Sequence, residues 1–179
     1  MKLKEIANCE IGPNNKEQKE LTKNSSLYSA DDLIEDLFLG YNESPKFKKN
    51  KFILSSGDVV INLMTNKATV VSEKNDGKIM SQRIMHLKIK PNEIYSWYLV
   101  FLLNESEKIK QQEHASMEGT VFRRITAKAI KDLEINLPPF SVQEKIGDSY
   151  RLLLKNYRLK KKYLDMTFDT TIKLLQIDK

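Results

Sequence analysis

Apolar positions change their period several times along this chain, and each change marks an element. Lys2 to Ile6 reads as a short strand, followed by a polar loop. Ser29 with Asp32 three places later is a capping-box signal, and it predicts a helix burying Leu33, Leu37 and Phe38. After FILSSGD come the β-branched runs VVINLM and ATVVS, a turn at Asn75-Asp76-Gly77, and a third run, RIMHLKI, which together predict a meander or small sheet. Pro91-Asn92 closes it. From Glu93 the residues Ile94, Trp97, Tyr98, Phe101 and Leu102 fall at helical spacing up to about Asn104. A second helical stretch covers Glu105 to about His114 and gives way to the loop MEGTVFRR. Thr126 then caps a short helix, and LEINL reads as a strand ended by Pro138-Pro139.

The last segment differs in kind. Ser141 is a good helix N-cap with Glu144 at the capping-box position, and no proline follows. Apolar or aromatic side chains recur at Ile146, Tyr150, Leu153, Tyr157, Leu164, Phe168, Ile172 and Leu175, mostly in steps of three and four, with a polar interruption at Lys160 and Lys161. A single helix over residues 141–176 would run roughly 54 Å at about 1.5 Å per residue, longer than a domain of this size is wide. Part of it must project, and its apolar stripe needs another helix to cover it.

Composition narrows the class. With 179 residues, 40% hydrophobic and 30% charged, and only 6 Gly and 5 Pro, the chain has the makings of one packed domain and not of a low-complexity one. No apolar run reaches the roughly 18 residues of a membrane span and the start lacks a signal-peptide core, so a soluble, cytoplasmic protein is expected. Cys9 is the single cysteine, and with only His86 and His114 as imidazoles no cluster has zinc-ligand spacing. The net charge of +6 is weak evidence for a polyanion partner. Its distribution is stronger, because Arg151, Lys155, Arg158, Lys160, Lys161 and Lys162 occur with no acidic residue among them, and Lys46, Lys48, Lys49 and Lys51 crowd a loop-like stretch.

Catalytic readings find little support. Leu137-Pro138-Pro139-Phe140 has the outline of the motif with which amino-methyltransferases grip a flipped base, but Leu137 offers no acceptor to an exocyclic amine and no Gly-rich turn could cradle a cofactor. Asp58 with Asp76-Gly77-Lys78 has the outline of a nuclease metal site, yet Asn-Asp-Gly between β-branched runs is hairpin-turn chemistry. Neither histidine has a nucleophile in a suggestive setting, and His86 reads as a sheet residue.

Residues 119–146, GTVFRRITAKAIKDLEINLPPFSVQEKI, are more specific. They closely resemble the end of a target recognition domain in the specificity subunits of type I restriction-modification systems: a Gly-Thr loop at Gly119-Thr120, a short capped helix from Thr126 to Lys131, alternating apolar residues from Leu133 to Leu137, Pro138-Pro139, then Gln143 and Ile146 opening a long helix. Upstream, KFILSSGDVVIN is similar to the family's Gly-Asp approach to a strand, and SQRIMHLKI before a Trp/Tyr-bearing helix also fits. The resemblance implies an α+β fold, with a DNA target recognition domain over 1–140 containing a small twisted sheet and flanking helices, and a long coiled-coil-like spacer and dimerisation helix over 141–179. Family members usually carry two recognition domains and two such helices packed antiparallel, whereas this chain has one of each. A half-length subunit that forms a homodimer is the natural reading, and a fragment of a longer chain would look the same.

Function follows from that resemblance and from polyanion physics. The implied activity is non-catalytic recognition of one half of a bipartite DNA target, with no metal or other cofactor. The implied partners are double-stranded DNA, the methyltransferase (M) subunit and the restriction (R) subunit, with no membrane. Arg123 and Arg124 are the first candidates for base readout because a guanidinium bonds guanine bidentately. Gln82 and Arg83 come second, since glutamine can do the same to adenine, and Thr120 third. Lys46, Lys48, Lys49 and Lys51 are candidate phosphate contacts. The basic residues of the long helix are candidates for the face toward methyltransferase subunits. The competing readings are a dimeric coiled-coil adaptor without sequence-specific DNA binding, and a nuclease.

Overall fold

The computed structural model describes residues 1–23, 25–44, 50–90, 92–116 and 125–177. Four antiparallel strands form one sheet in the order β1-β4-β2-β3: β1 (Ala7–Ile11), β2 (Val59–Asn62), β3 (Lys67–Val70) and β4 (Ile84–Ile89). Seven α-helices are described around it: α1 (Leu3–Ile6), α2 (Asn15–Leu21), α3 (Ala30–Leu39), α4 (Ser96–Glu105), α5 (Glu107–Ser116), α6 (Ala127–Asp132) and α7 (Phe140–Ile177). The architecture is α+β, a small open sheet with flanking helices and a long C-terminal helix.

The centre of the sheet is buried on both faces, and the period-2 alternation of β2 and β4 sorts the core into two halves. Val59, Ile61, Met85 and Leu87 pack with Trp97, Val100 and Leu103 of α4. Val60 and Ile84 point the other way, into Tyr28, Leu33, Leu54 and Met80. Of the two expected arrangements the small sheet is found and the meander is not, because β4 lies between β1 and β2 and pairs with β2, not with β3. Asn75-Asp76-Gly77 is therefore no hairpin turn: Glu73–Asn75 is a 3-10 turn, Gly77 takes φ +86°, and the tight hairpin is the one joining β2 to β3.

Three further expectations change. Lys2 to Ile6 is no strand, since Leu3 and Ile6, three apart, bury one face of a helical turn, and the strand follows at Ala7. The polar loop contains α2, which buries nothing and is held by an Asn14–Glu17 capping box. Leu133 to Leu137 is extended but joins no sheet. Its partners are Met1 to Leu3, through the Lys2–Glu134 bridge and the bonds Ile135 N–H to Met1 O (2.8 Å) and Leu3 N–H to Leu133 O (2.9 Å). α3 has the Ser29 cap, with Asp32 N–H donating to Ser29 Oγ at 3.0 Å, and it ends at Gly40 with φ +64°. Leu33 and Leu37 are buried as expected, whereas Phe38 is half-buried. α4 begins at Ser96 and is buried nearly all round, because it lies between the sheet and α7; Leu99, Val100 and Leu103 join the core while Phe101 and Leu102 stay half-buried.

Candidate nucleic-acid interface

Antiparallel pairing brings the ends of β1 and β2 and the starts of β3 and β4 to one end of the sheet, with Ile11 opposite Met85 and Asn62 opposite both Lys67 and Ile84. Gln82 and Arg83 form the turn that enters β4 there. Its backbone is pinned from three sides: Leu63 N–H donates to Arg83 O (2.8 Å), Ile84 N–H to Ser81 O (3.0 Å), and Gly12 N–H to Ile84 O (3.1 Å). Gly12 sits so close that a Cβ there would lie 2.1 Å from Ser81 O. The Gln82 and Arg83 side chains are exposed, and among the described residues neither has an ion-pair or hydrogen-bond partner. Beside them the β2–β3 hairpin is shaped by Asn62 Oδ1, which accepts from Met64 N–H at 2.8 Å, and by Asn66 at φ +54°.

Lys51 approaches from the segment next door. Phe52 O accepts from Met80 N–H at 2.9 Å, two residues before Gln82, and exposed Lys51 holds Nζ 4.8 Å from the Phe52 ring centroid. The hairpin also faces α5 through Glu113, which is 5% exposed. Burial pushes its carboxyl up to about 7 against the opposing pull of Lys110, Lys67 and Asn66, and its Oε1 has no hydrogen-bond partner among the described residues. α5 ends at Ser116. Thr120, Arg123 and Arg124, like Lys46, Lys48 and Lys49, lie outside the described residues. The structure thus places Gln82, Arg83 and Lys51 near one rim of the sheet.

The long helix is anchored by polar groups that its apolar pattern does not reveal. α7 starts at Phe140, where Pro139 O accepts from Val142 N–H (2.8 Å), so Ser141 lies inside the first turn instead of capping it. Buried Gln143 accepts from Tyr95 N–H (3.1 Å) at the start of α4 and donates to Pro138 O (2.9 Å) and Glu93 O (3.3 Å). At Gly147 a Cβ would come 2.6 Å from Tyr98 N, so only glycine permits this crossing. Asn104 caps the β3 edge at Ala68: its amide accepts from Ala68 N–H (2.8 Å) and donates to Ala68 O (3.0 Å), as a neighbouring strand would. Tyr150 of α7 joins this group by donating to Glu105 Oε1 at 2.9 Å. Arg151 donates to Gly40 O (3.3 Å) and pairs with Asp148 (3.2 Å), which also accepts from Tyr95 OH at 2.9 Å. Burial and that carboxylate raise the Tyr95 phenol to about 12.

Beyond these anchors α7 leaves the body of the molecule. Ile146 is half-buried and Tyr150 buried, but Leu153 is 65%, Tyr157 57%, Leu164 65%, Phe168 66% and Leu175 68% exposed, with Ile172 at 38%. Tyr157 still touches α3, its ring 5.6 Å from Phe38. Lys155, Arg158, Lys160, Lys161 and Lys162 are all exposed. No described helix is long and apolar enough to cross a membrane.

The residues of the nuclease-like outline are each held by contacts within the fold. Asp58 accepts from Ser55 N–H (2.7 Å) and pairs with buried His86 at 3.3 Å, a contact between residues 28 apart in sequence that neither local pattern announces. Asp76 accepts from Ser56 N–H (2.9 Å), and Lys78 pairs with Asp32 (2.8 Å). Asp36, buried in α3, accepts from Tyr28 OH (2.7 Å) and Asn75 Nδ2 (2.8 Å). Among the described residues no three His, Cys, Asp or Glu side chains form a group that could hold a metal ion.

Comparisons with solved structures agree with the fold. The chain resembles the HsdS subunit from Thermoanaerobacter tengcongensis (TM-score 0.58, 22% identity, covering 98% of this chain and 46% of that one). It also resembles a chain from a structure of complex assembly and conformational transition of the type I R-M system (TM-score 0.63, 17% identity, 97% and 42%). A third is the S subunit of a type I restriction-modification system from M. genitalium (TM-score 0.55, 13% identity, 100% and 46%). At these identities the likeness is one of fold, and this chain spans less than half the length of each. No curated protein sequence matches it. The family model for the type I restriction modification DNA specificity domain matches residues 1–165, and by that match the chain belongs to this family.

Proposed function

We propose that this chain is the non-catalytic specificity subunit of a type I restriction-modification system in single-recognition-domain form, acting on DNA in the cytoplasm. Residues 1–140 read one half of a bipartite target, and residues 141–179 set spacing and join two copies. The observation that carries this reading is the family match over residues 1–165, which runs from the sheet domain well into α7. Gln82 and Arg83 support it, because a pinned backbone with unpartnered amide and guanidinium side chains suits base-edge readout. In the same scheme Arg123, Arg124 and Thr120 add base contacts, Lys46, Lys48, Lys49 and Lys51 bind phosphates, and the basic part of α7 faces the methyltransferase subunit, with the restriction subunit joining that assembly.

Methylome mapping of the host with and without the gene tests this directly. Loss of methylation at one bipartite motif is the expected result. Binding of the purified chain to duplexes across salt concentrations provides the second arm, with a steep salt slope and preference for that motif expected. An unchanged methylome together with no duplex binding would leave an adaptor role in its place. Metal-dependent cleavage by the chain alone would indicate a nuclease.

A further inference from the structure

The loop between β2 and β3 uses all of its backbone donors on itself and on the turn next door. Leu63 N–H donates to Arg83 O (2.8 Å), Met64 N–H and Thr65 N–H both donate to Asn62 Oδ1 (2.8 and 3.4 Å), Asn66 N–H donates to Asn62 O (2.8 Å), and Lys67 N–H donates to Thr65 Oγ1 (3.4 Å). Asn62 is buried, so the loop grows from a fixed root. The bond to Arg83 ties it to the Gln82-Arg83 turn, and the two loops form one rigid unit. No N–H from Leu63 to Lys67 is left over for a phosphate. What the tip presents is its exposed side chains, Met64 and Thr65.

A large apolar side chain is out of place at the tip of a surface hairpin, where turn chemistry favours Gly, Asn, Asp and Ser. Met64 is 45% exposed there. On the other side of the same turn Ile11 is 39% exposed, next to Gly12, whose N–H donates to Ile84 O. Gln82 and Arg83 are thus bracketed by two apolar shoulders. A surface that met phosphates alone would gain nothing from such an arrangement. Base edges in the major groove would, because they display one apolar group among their donors and acceptors, the thymine 5-methyl, and the minor groove displays none.

We infer that Met64 is a further specificity-determining residue, which packs on the 5-methyl group of a thymine in the major groove beside the base pairs addressed by Gln82 and Arg83. The inference rests on the DNA-recognition reading above and adds a base group to it. An unbranched thioether adapts its shape to a small apolar target. The braced loop limits what binding must order to the rotamers of Met64 itself.

Uracil substitution tests the contact, because it removes the methyl group and keeps the base pair. The probe is a duplex carrying the motif whose methylation depends on the gene, with each thymine of a half-site replaced by deoxyuridine in turn, bound by the full chain alone and joined to the methyltransferase subunit. At one position the wild type should lose about fourfold in affinity, the worth of one buried methyl. Met64→Ala should bind the thymine duplex at least as weakly as the wild type binds the uracil one, and should bind both alike. Met64→Leu, which keeps the apolar bulk, should retain the uracil effect, and so should Gln82→Ala, which acts on another base. Motif binding with no uracil effect at any position, a half-site without thymine in either strand, or a uracil effect that survives in Met64→Ala would each overturn the inference and leave DNA recognition standing. So would an equal loss by Met64→Ala on thymine and uracil duplexes with the wild type indifferent to uracil, the signature of a wedge between base steps. No preference for the motif in either form of the protein overturns both.

Discussion

Gln82 and Arg83 can be truncated without disturbing their turn, because every bond that holds it is made by backbone or by Ser81. Gln82→Ala and Arg83→Ala should therefore lower discrimination between target and random duplex, each by about 1–3 kcal/mol, and leave the fold intact. Arg123→Ala and Arg124→Ala belong to the same class. Lys51→Ala should instead weaken all duplexes alike and reduce the salt slope by about 1. Equal loss on specific and random DNA for all of them would misplace the readout surface. Glu113 has a different signature. Its carboxyl is raised from 4.5 to about 7 in the folded chain, so the fold binds that proton more tightly than the unfolded chain does. Stability contributed by the protonated form is full below 4.5 and is lost as pH climbs to about 7. Glu113→Gln should match the wild type near pH 4.5 and exceed it by about 1–3 kcal/mol at pH 8, read by urea denaturation. A constant difference across that range would deny the titration.

Elements join these residues into a docking frame for α7, and the frame explains what a linear reading reaches. Helices with local signals were legible: Ser29 with Asp32, Thr126 with Ala129 N–H, and the three-four spacing of α7. A local signal can also act without an apolar face: the Asn14–Glu17 capping box makes a helix that buries nothing, so no hydrophobic period marks it. Strand order was not legible, because β4 reaches its place between β1 and β2 by pairings distant in sequence. Nor were the anchoring roles of Asn104 and Gln143, whose partners lie 36 and 48 residues away; Gln143 stood out only through the family resemblance. Of the candidate site, the Gln82-Arg83 turn could be chosen by residue type, but its closeness to Lys51 is a product of the tertiary fold. Asn104→Ala should cost about 2–4 kcal/mol, since it strands a buried N–H and a buried carbonyl on β3 at once. Gly147→Val should undock α7 from α4, and Trp97, the single tryptophan, sits next to that crossing, so its fluorescence should shift toward the exposed value. Leu153→Lys/Tyr157→Lys acts farther out, weakening the dimer in sedimentation while the Trp97 signal stays native.

At the scale of the assembled molecule α7 becomes a ruler. If two copies pack antiparallel over much of α7, roughly 54 Å long at ~1.5 Å per residue, their bodies hang at opposite ends of the bundle. The ~34–36 Å of one turn of B-DNA falls within that span, so both bodies can address the same face of a duplex. Two-fold symmetry of the protein then requires two inverted half-sites flanking an unread gap. The gap must follow the helix length. Deleting Lys155 to Lys161 removes one heptad, keeps the stripe in phase, and draws the bodies together by roughly 10 Å. With ~3.4 Å per base pair the preferred gap should shorten by about three base pairs. Binding selection on randomised duplexes, run on the intact and shortened chains, measures both gaps. A contiguous motif, an asymmetric motif from the homodimer, or a gap indifferent to the deletion would each defeat the ruler, because each breaks the link between helix length and half-site separation on which it depends.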